Sequence, residues 1–291
     1  MKRITPIITL VLLFGILNNA SAQKSEKHLK INKIKEIDSI NNYIVQNNII
    51  DYTDIALLSK DEKNHLKSAS LNDVYIRTFN TKKISPDNNC FVAYFEGEAP
   101  SKYIGFFNKD GDILHISEVN IEPVVNFSSN SNFLVVFSFY QNVFFCFTNK
   151  GELIFKGLFD QILPDAEIIH NAFIDDTGKY LLVSSSYMLH MIDLSKGEIL
   201  WEIKTKSRRV INCHFNSKLG IVATTALLAD KDMIDKEDIF NLEFRSIKNG
   251  TEKGRIPNVS KTIVKGKHFL ARSNNKWYEY EVTWDPDEMI K

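Results

Sequence analysis

Two kinds of turn recur between residues 70 and 283 with a shared period near 45, and a chain built this way stacks its repeats in register. The first is a polar turn that runs into an apolar strand. It appears as Ser85-Pro86-Asp87-Asn88 before Phe91, as Ser128-Ser129-Asn130-Ser131 before Phe133, and as Asp175-Asp176-Thr177-Gly178 before Tyr180. Asn216-Ser217-Lys218-Leu219-Gly220 before Ile221 and Lys265-Gly266-Lys267 before Phe269 continue the series, and successive starts lie 43, 47, 41 and 49 residues apart. The second is a tight turn ending in Gly, where the backbone needs positive φ: Lys109-Asp110-Gly111, Asn149-Lys150-Gly151, Ser195-Lys196-Gly197 and Lys248-Asn249-Gly250. These glycines are 40, 46 and 53 residues apart, a period that belongs to four-stranded blades.

Between the turns lie aromatic and β-branched runs of five to seven residues, the texture of an all-β domain. The expected fold is a β-propeller of about five four-stranded blades over residues 70–284, with a tail at 285–291. The chain ends partway through the fifth unit, in which Lys261 to Val264, His268 to Ala271 and Trp277 to Val282 supply three strands. The missing outer strand is expected from Val74 to Phe79, so that both ends of the repeat region close the ring and no sheet edge is left open between them.

The third unit carries a family resemblance. Phe173-Ile174-Asp175-Asp176-Thr177-Gly178-Lys179-Tyr180-Leu181-Leu182-Val183, continuing through Asp193, Gly197 and Trp201, resembles the β-propeller repeats of the pyrroloquinoline-quinone-like and WD-repeat-like superfamilies of bacteria. Phe155 and His115 stand at the place of Trp201 in units two and one. The resemblance implies the fold and little more. About five units and no adjacent cysteines depart from the eight-bladed quinone-dependent dehydrogenases, so no cofactor is expected.

The N-terminal stretch differs in composition. Lys2 and Arg3, an apolar run from Ile4 to Leu17, and Asn18-Asn19-Ala20-Ser21-Ala22 follow the order of a cleavable signal peptide over residues 1–22. The expected location is therefore periplasmic or extracellular. Residues 23–69 are expected to be helical, because Ile31, Ile34, Ile37, Ile40 and Ile44 recur every three or four residues among polar ones. Without Lys2 and Arg3 the mature chain keeps 34 basic and 36 acidic residues, a balance that gathers neither nucleic acid nor an anionic membrane. Its most apolar segment, Phe133 to Phe147, is broken by Ser138, Gln141 and Asn142 and reads as two strands, not a membrane span. Cys90, Cys146 and Cys213 are too far apart in sequence for a local metal motif and suit small buried hydrophobes.

Candidate binding residues are few. Residues 229–238 interrupt unit four with Asp230, Asp232, Asp235, Glu237 and Asp238. Ile234 stands where a calcium loop needs an oxygen ligand, so a lengthened hairpin loop that touches a partner is the expectation. His170 and His214 fall near innermost strands and are candidates for the channel wall; no metal site is expected. No nucleophile elbow, phosphate loop or dinucleotide motif occurs. The leading expectation is a monomeric, non-enzymatic binding or scaffold protein whose partner is a protein or envelope component. The alternative is a hydrolase or lyase acting on sugars or lactones at the channel. A third reading makes residues 24–69 the working part.

Overall fold

The computed structural model describes residues 29–37, 55–62, 77–96, 101–138, 143–158, 169–185, 188–204, 210–227, 240–259, 261–265, 268–274 and 276–284, with residues 64, 141 and 162. Two strands, β1 (Leu29–Ile37) and β2 (Ile55–Leu57), precede the repeats. Blade one is β3 (Arg77–Ile84), β4 (Cys90–Glu96), β5 (Lys102–Asn108) and β6 (Ile113–Glu118). Blade two is β7 (Val124–Phe127), β8 (Phe133–Phe137), β9 (Val143–Thr148) and β10 (Leu153–Leu158), and blade three is β11 (Ile169–Ile174), β12 (Tyr180–Ser185), β13 (Met188–Asp193) and β14 (Glu198–Lys204). Blade four is β15 (Val210–Asn216), β16 (Ile221–Leu227), β17 (Phe240–Ser246) and β18 (Glu252–Val259); β19 (Lys261–Lys265), β20 (His268–Ser273) and β21 (Lys276–Trp284) begin blade five. Each sheet is antiparallel, and in four of the five the strands lie in sequence order, so the molecule is all-β and its five sheets are the blades of a propeller.

The described turns of both series share a recurring backbone, while Gly266 and Lys267 of the fifth polar turn lie outside the described residues. In the first, positive φ falls at Asn88, Ser131, Gly178 and Gly220. Its leading side chain accepts a backbone N–H five residues on: Cys90 to Ser85 Oγ at 3.1 Å, Phe133 to Ser128 Oγ at 3.1 Å, Tyr180 to Asp175 Oδ1 at 2.7 Å. In the second, Gly111, Gly151, Gly197 and Gly250 all have positive φ, between 69° and 90°.

The glycines do more than turn the chain. A Cβ at Gly151 would come within 2.5 Å of His115, one at Gly197 within 3.4 Å of Phe155, and one at Gly250 within 2.8 Å of Trp201. Each contact joins the outer strand of one blade to the outer turn of the next. Trp201 is 8 % exposed, and its indole N–H donates to the Ile247 carbonyl at 2.7 Å, which satisfies the polar end of a large buried ring. A β-bulge aims these side chains: Leu114, Ile154, Leu200 and Lys253 are the extra residues of β6, β10, β14 and β18, each one position before the seam residue.

Apolar clusters fill the seams between blades one and two, two and three, three and four, and four and five. Phe106 against Phe147, for example, meets edge-on across the first seam at 5.2 Å between centroids, and Phe244 against Phe269 across the fourth at 5.0 Å.

The N-terminal stretch departs from expectation. Residues 29–37 form β1, which pairs antiparallel with β21 from Leu29 opposite Trp284 to Ile37 opposite Trp277, and so supplies the outer strand of blade five. The expected helix is absent there, and of the strand assigned to Val74 to Phe79 the described residues 77–79 belong to β3, on the axial side of blade one and not at the outer edge of blade five. The physical reason lies in a bulge at Ile34: Leu29 and Ile31 face blade four, Ile34 projects outward, and Ile37 faces the opposite side. One kinked strand thereby produces an apolar spacing of three that imitates a helix face. Residues 40–54 and 65–69, also assigned to that helical segment, lie outside the described residues, as do the signal peptide and the 285–291 tail.

β2 pairs with β3, adding a fifth strand on the axial edge of blade one. After it Leu58 joins Phe91, Ala93, Phe95 and Phe107 on the blade-one face that looks toward blade five. A single helical turn at 60–62 follows, held by a reciprocal cap in which the Ser59 N–H donates to Glu62 Oε2 at 2.7 Å and the Glu62 N–H to Ser59 Oγ at 3.1 Å. Burial pushes the Glu62 carboxyl up, but the 2.5 Å hydrogen bond from Lys82 and the Ser59 N–H outweigh it and hold it below the usual range. Its Cγ lies 3.3 Å from where Gly111 would carry a Cβ, so the wedge occupies the outer turn of blade one.

Alanine at Gly220 and at Gly250 separates turn strain from seam packing. Both glycines have positive φ, but nothing lies within 4 Å of a Cβ at Gly220. Urea unfolding should show a loss of about 1 kcal/mol for Gly220→Ala and about 2–4 kcal/mol for Gly250→Ala. Equal losses would mean that the seam contact contributes nothing.

Candidate functional site

Strand direction gives the propeller two unlike faces. The described turns of both series lie on one face, where they are short and, at the first two seams, tied together across blades. The Asp87 N–H donates to Ser131 Oγ at 3.0 Å, and the Asn130 N–H and Nδ2 donate to Asp176 Oδ1 and its carbonyl, both at 2.8 Å. The opposite face receives every blade-to-blade connection and every hairpin between second and third strands. Among these, 228–239 joins β16 to β17 and carries Asp230, Asp232, Asp235, Glu237 and Asp238, which lie outside the described residues. The strand ends that it joins, Leu227 and Phe240, are opposed in the ladder.

His170 opens β11 at this loop face. It is the extra residue of a bulge between Ile169, opposite Ser185, and Asn171, opposite Ser184. His214 stands on β15 opposite Ala223, and ladder register makes Phe173 its equivalent in blade three. The two histidines therefore occupy neighbouring innermost strands but different heights, His170 at the loop face and His214 toward the tight turns. His214 is 7 % exposed, and burial lowers its pKa to about 4, so it is neutral at neutral pH. His190 on β13 is buried as well; desolvation lowers its pKa against the opposing pull of Glu202, whose Oε2 lies 3.8 Å from Nδ1.

A chain of polar side chains near the axis escaped the sequence analysis. Asn126 Nδ2 donates to Asn171 Oδ1 at 2.7 Å and to the Ala172 carbonyl at 2.8 Å, which ties blade two to blade three. Asn171 Nδ2 then donates to the Val210 carbonyl at 3.5 Å, and the Val210 N–H to Ser184 Oγ at 3.3 Å, tying three to four. Asn171 and Asn212 share one register position, opposite Ser184 and Thr225. That repetition is the signal that was available, yet Asn is so common in this sequence that it does not stand out. These side chains satisfy polar groups of inner strands where water is scarce. They offer hydrogen bonds, not a nucleophile or a proton relay.

No group of three or more His, Cys, Asp or Glu among the described residues could hold a metal ion. Cys90 and Cys146 are buried, Cys213 half-buried, and none of the three is bonded to another. Burial raises all three thiols, as expected for small hydrophobes within strands. No described helix is long and apolar enough to cross a membrane.

No family model matches the sequence, and no curated protein does. Among solved structures, a chain from "Crystal Structure of Mitotic Checkpoint Complex" is similar at 10 % identity with a TM-score of 0.46, over 74 % of this chain and 77 % of that one. The five-sheet architecture stands on the strand ladders themselves.

The buried histidines make stability depend on pH. Their folded pKa values lie below the unfolded value near 6.5, so the unfolded chain takes up protons first. Their contribution to stability is fully present above pH 6.5 and is lost as the pH drops toward 4, by on the order of 3 kcal/mol for His214 alone. Replacing His214 by Phe, as blade three has at that register, should flatten the fall between pH 6.5 and 5 in urea titrations; an unchanged slope would contradict this.

Proposed function

We propose that this is an exported, non-enzymatic propeller whose loop face binds a protein or envelope component. The observation that carries the proposal is the asymmetry of the two faces. One face consists of short turns, and at the first two seams these spend polar groups on each other across blades. The other gathers the longer connections, including the acidic 228–239 segment. Loops carried on a rigid scaffold are where binding residues concentrate. The 228–239 segment contributes five carboxylates, which favours a partner with a complementary basic surface.

Export rests on the order of Lys2, Arg3, the apolar run to Leu17, and Ala20-Ser21-Ala22. With removal of 1–22, the mature chain begins only a few residues before β1. The likeness of unit three to quinoprotein and WD-type repeats supports a scaffold role at the level of fold, without a cofactor. A channel-centred hydrolase draws less support: His214 is buried and neutral, and β2 adds a strand on the axial side of blade one.

Replacing 229–238 by a two-residue Asn-Gly turn tests the proposal. The variant should keep its circular dichroism and urea midpoint, and should lose at least tenfold in recovery of the envelope component that the intact chain cross-links. Unchanged recovery by the shortened chain, or nothing recovered by the intact one, would contradict it.

A further inference from the structure

The strand that completes blade five is joined to its neighbour by no short turn. In blades one to four the outer strand follows its neighbour through a tight glycine turn; β1 reaches β21 from the opposite end of the chain. Among the described residues its outer edge pairs with no strand. It is nevertheless recognised in detail. Ile31 Cδ1 sits 2.9 Å from where Gly254 would carry a Cβ, and Gly254 occupies in blade four the register position of Trp201, so the missing side chain is the notch that admits β1. Lys33 Nζ lies 3.1 Å from the centroid of the Tyr278 ring. Lys35 reaches Glu279 at 3.4 Å, and Lys276 reaches Glu36 at 2.8 Å.

The bulge at Ile34 repeats those at Leu114, Ile154, Leu200 and Lys253, so β1 is built as an outer strand like the others. What differs is its tether. Residues 38–54 separate it from β2, and 17 residues reach about 56–60 Å when extended, more than the span of a blade.

From these observations we infer that β1 is an exchangeable strand whose alternative acceptor is blade five of a second copy of this chain. The contacts of β1 with β21 and Gly254 are identical whether the strand comes from the same chain or another. The balance between closed monomer and strand-swapped dimer is then set by the effective concentration that a connection of this length gives the strand, on the order of millimolar. At micromolar concentration the monomer prevails. Chains that fold together at about millimolar concentration exchange β1.

Two full-length mature chains test this, one carrying Lys30→Cys and the other Thr283→Cys. Lys30 and Thr283 are directly opposed in the ladder, close enough for a disulfide between paired strands. A chain carrying both substitutions should close an internal disulfide. Equal amounts of the single variants, unfolded together and refolded at about 1 mM, should give an inter-chain disulfide at least tenfold above that from Lys30→Cys with Glu281→Cys, which is out of register. Refolding at about 1 µM should abolish it. Inter-chain linkage no greater than the out-of-register control overturns the inference, and so does failure of the doubly substituted chain to close.

Discussion

What one blade's outer strand places against the next blade's glycine turn governs how the sheets stack. A sheet of four short strands cannot bury its faces alone, so its stability depends on a neighbour lying close and in register. Here the closeness is enforced where His115, Phe155 and Trp201 lie over Gly151, Gly197 and Gly250. At Gly151 and Gly250 the glycine is required twice, once for its φ and once for the absence of a side chain; at Gly197 a Cβ would stand at ordinary contact, 3.4 Å from Phe155. The bulge one residue before the seam side chain turns that residue toward its glycine. Sheet spacing, and with it the packing of apolar clusters nearer the axis, follows from this contact.

The ring's two ends cannot use the same device. Blade five has no outer hairpin, since its outer strand arrives from the N-terminus, and the seam position before it is correspondingly emptied to Gly254, which receives Ile31. On the other side, Gly111 of blade one meets Glu62, held by Lys82 and Ser59, where the other glycines meet a ring. Among the described residues no apolar cluster joins blade five to blade one; each has its own. Residues 29–37 thus complete blade five, and residues 55–62 add a strand and an apolar contact to blade one.

Much of the fold was legible because turn chemistry is local. Ser85, Ser128 and Asp175 lead the same hydrogen-bonded turn, and the four turn glycines have the positive φ that their sequence context demands. The aligned places of Trp201, Phe155 and His115 prove to be one structural position. β1 was illegible for a physical reason: the Ile34 bulge distributes Ile31, Ile34 and Ile37 over three directions, and periodicity alone cannot distinguish that from a helix. Pairing with β21, more than 200 residues away, decides the matter, and no local signal encodes it. The candidate site was legible only as topology. The acidic residues 230–238 fall between strands that end at the loop face, whereas the polar chain from Asn126 through Asn171 to Val210 depends on inner-strand contacts that sequence spacing does not reveal. His170 and His214 stand on β11 and β15 at different register positions, an offset that sequence spacing does not reveal.

Amide hydrogen exchange of the mature protein at micromolar concentration, read by peptide fragments, tests the closure most directly. Closure by the N-terminal strand requires that amides in 29–37 and 276–284 be protected together, with one opening free energy shared between strands at opposite ends of the chain. Exchange of 29–37 at the rate of an unstructured chain, while 276–284 stays protected, would contradict it.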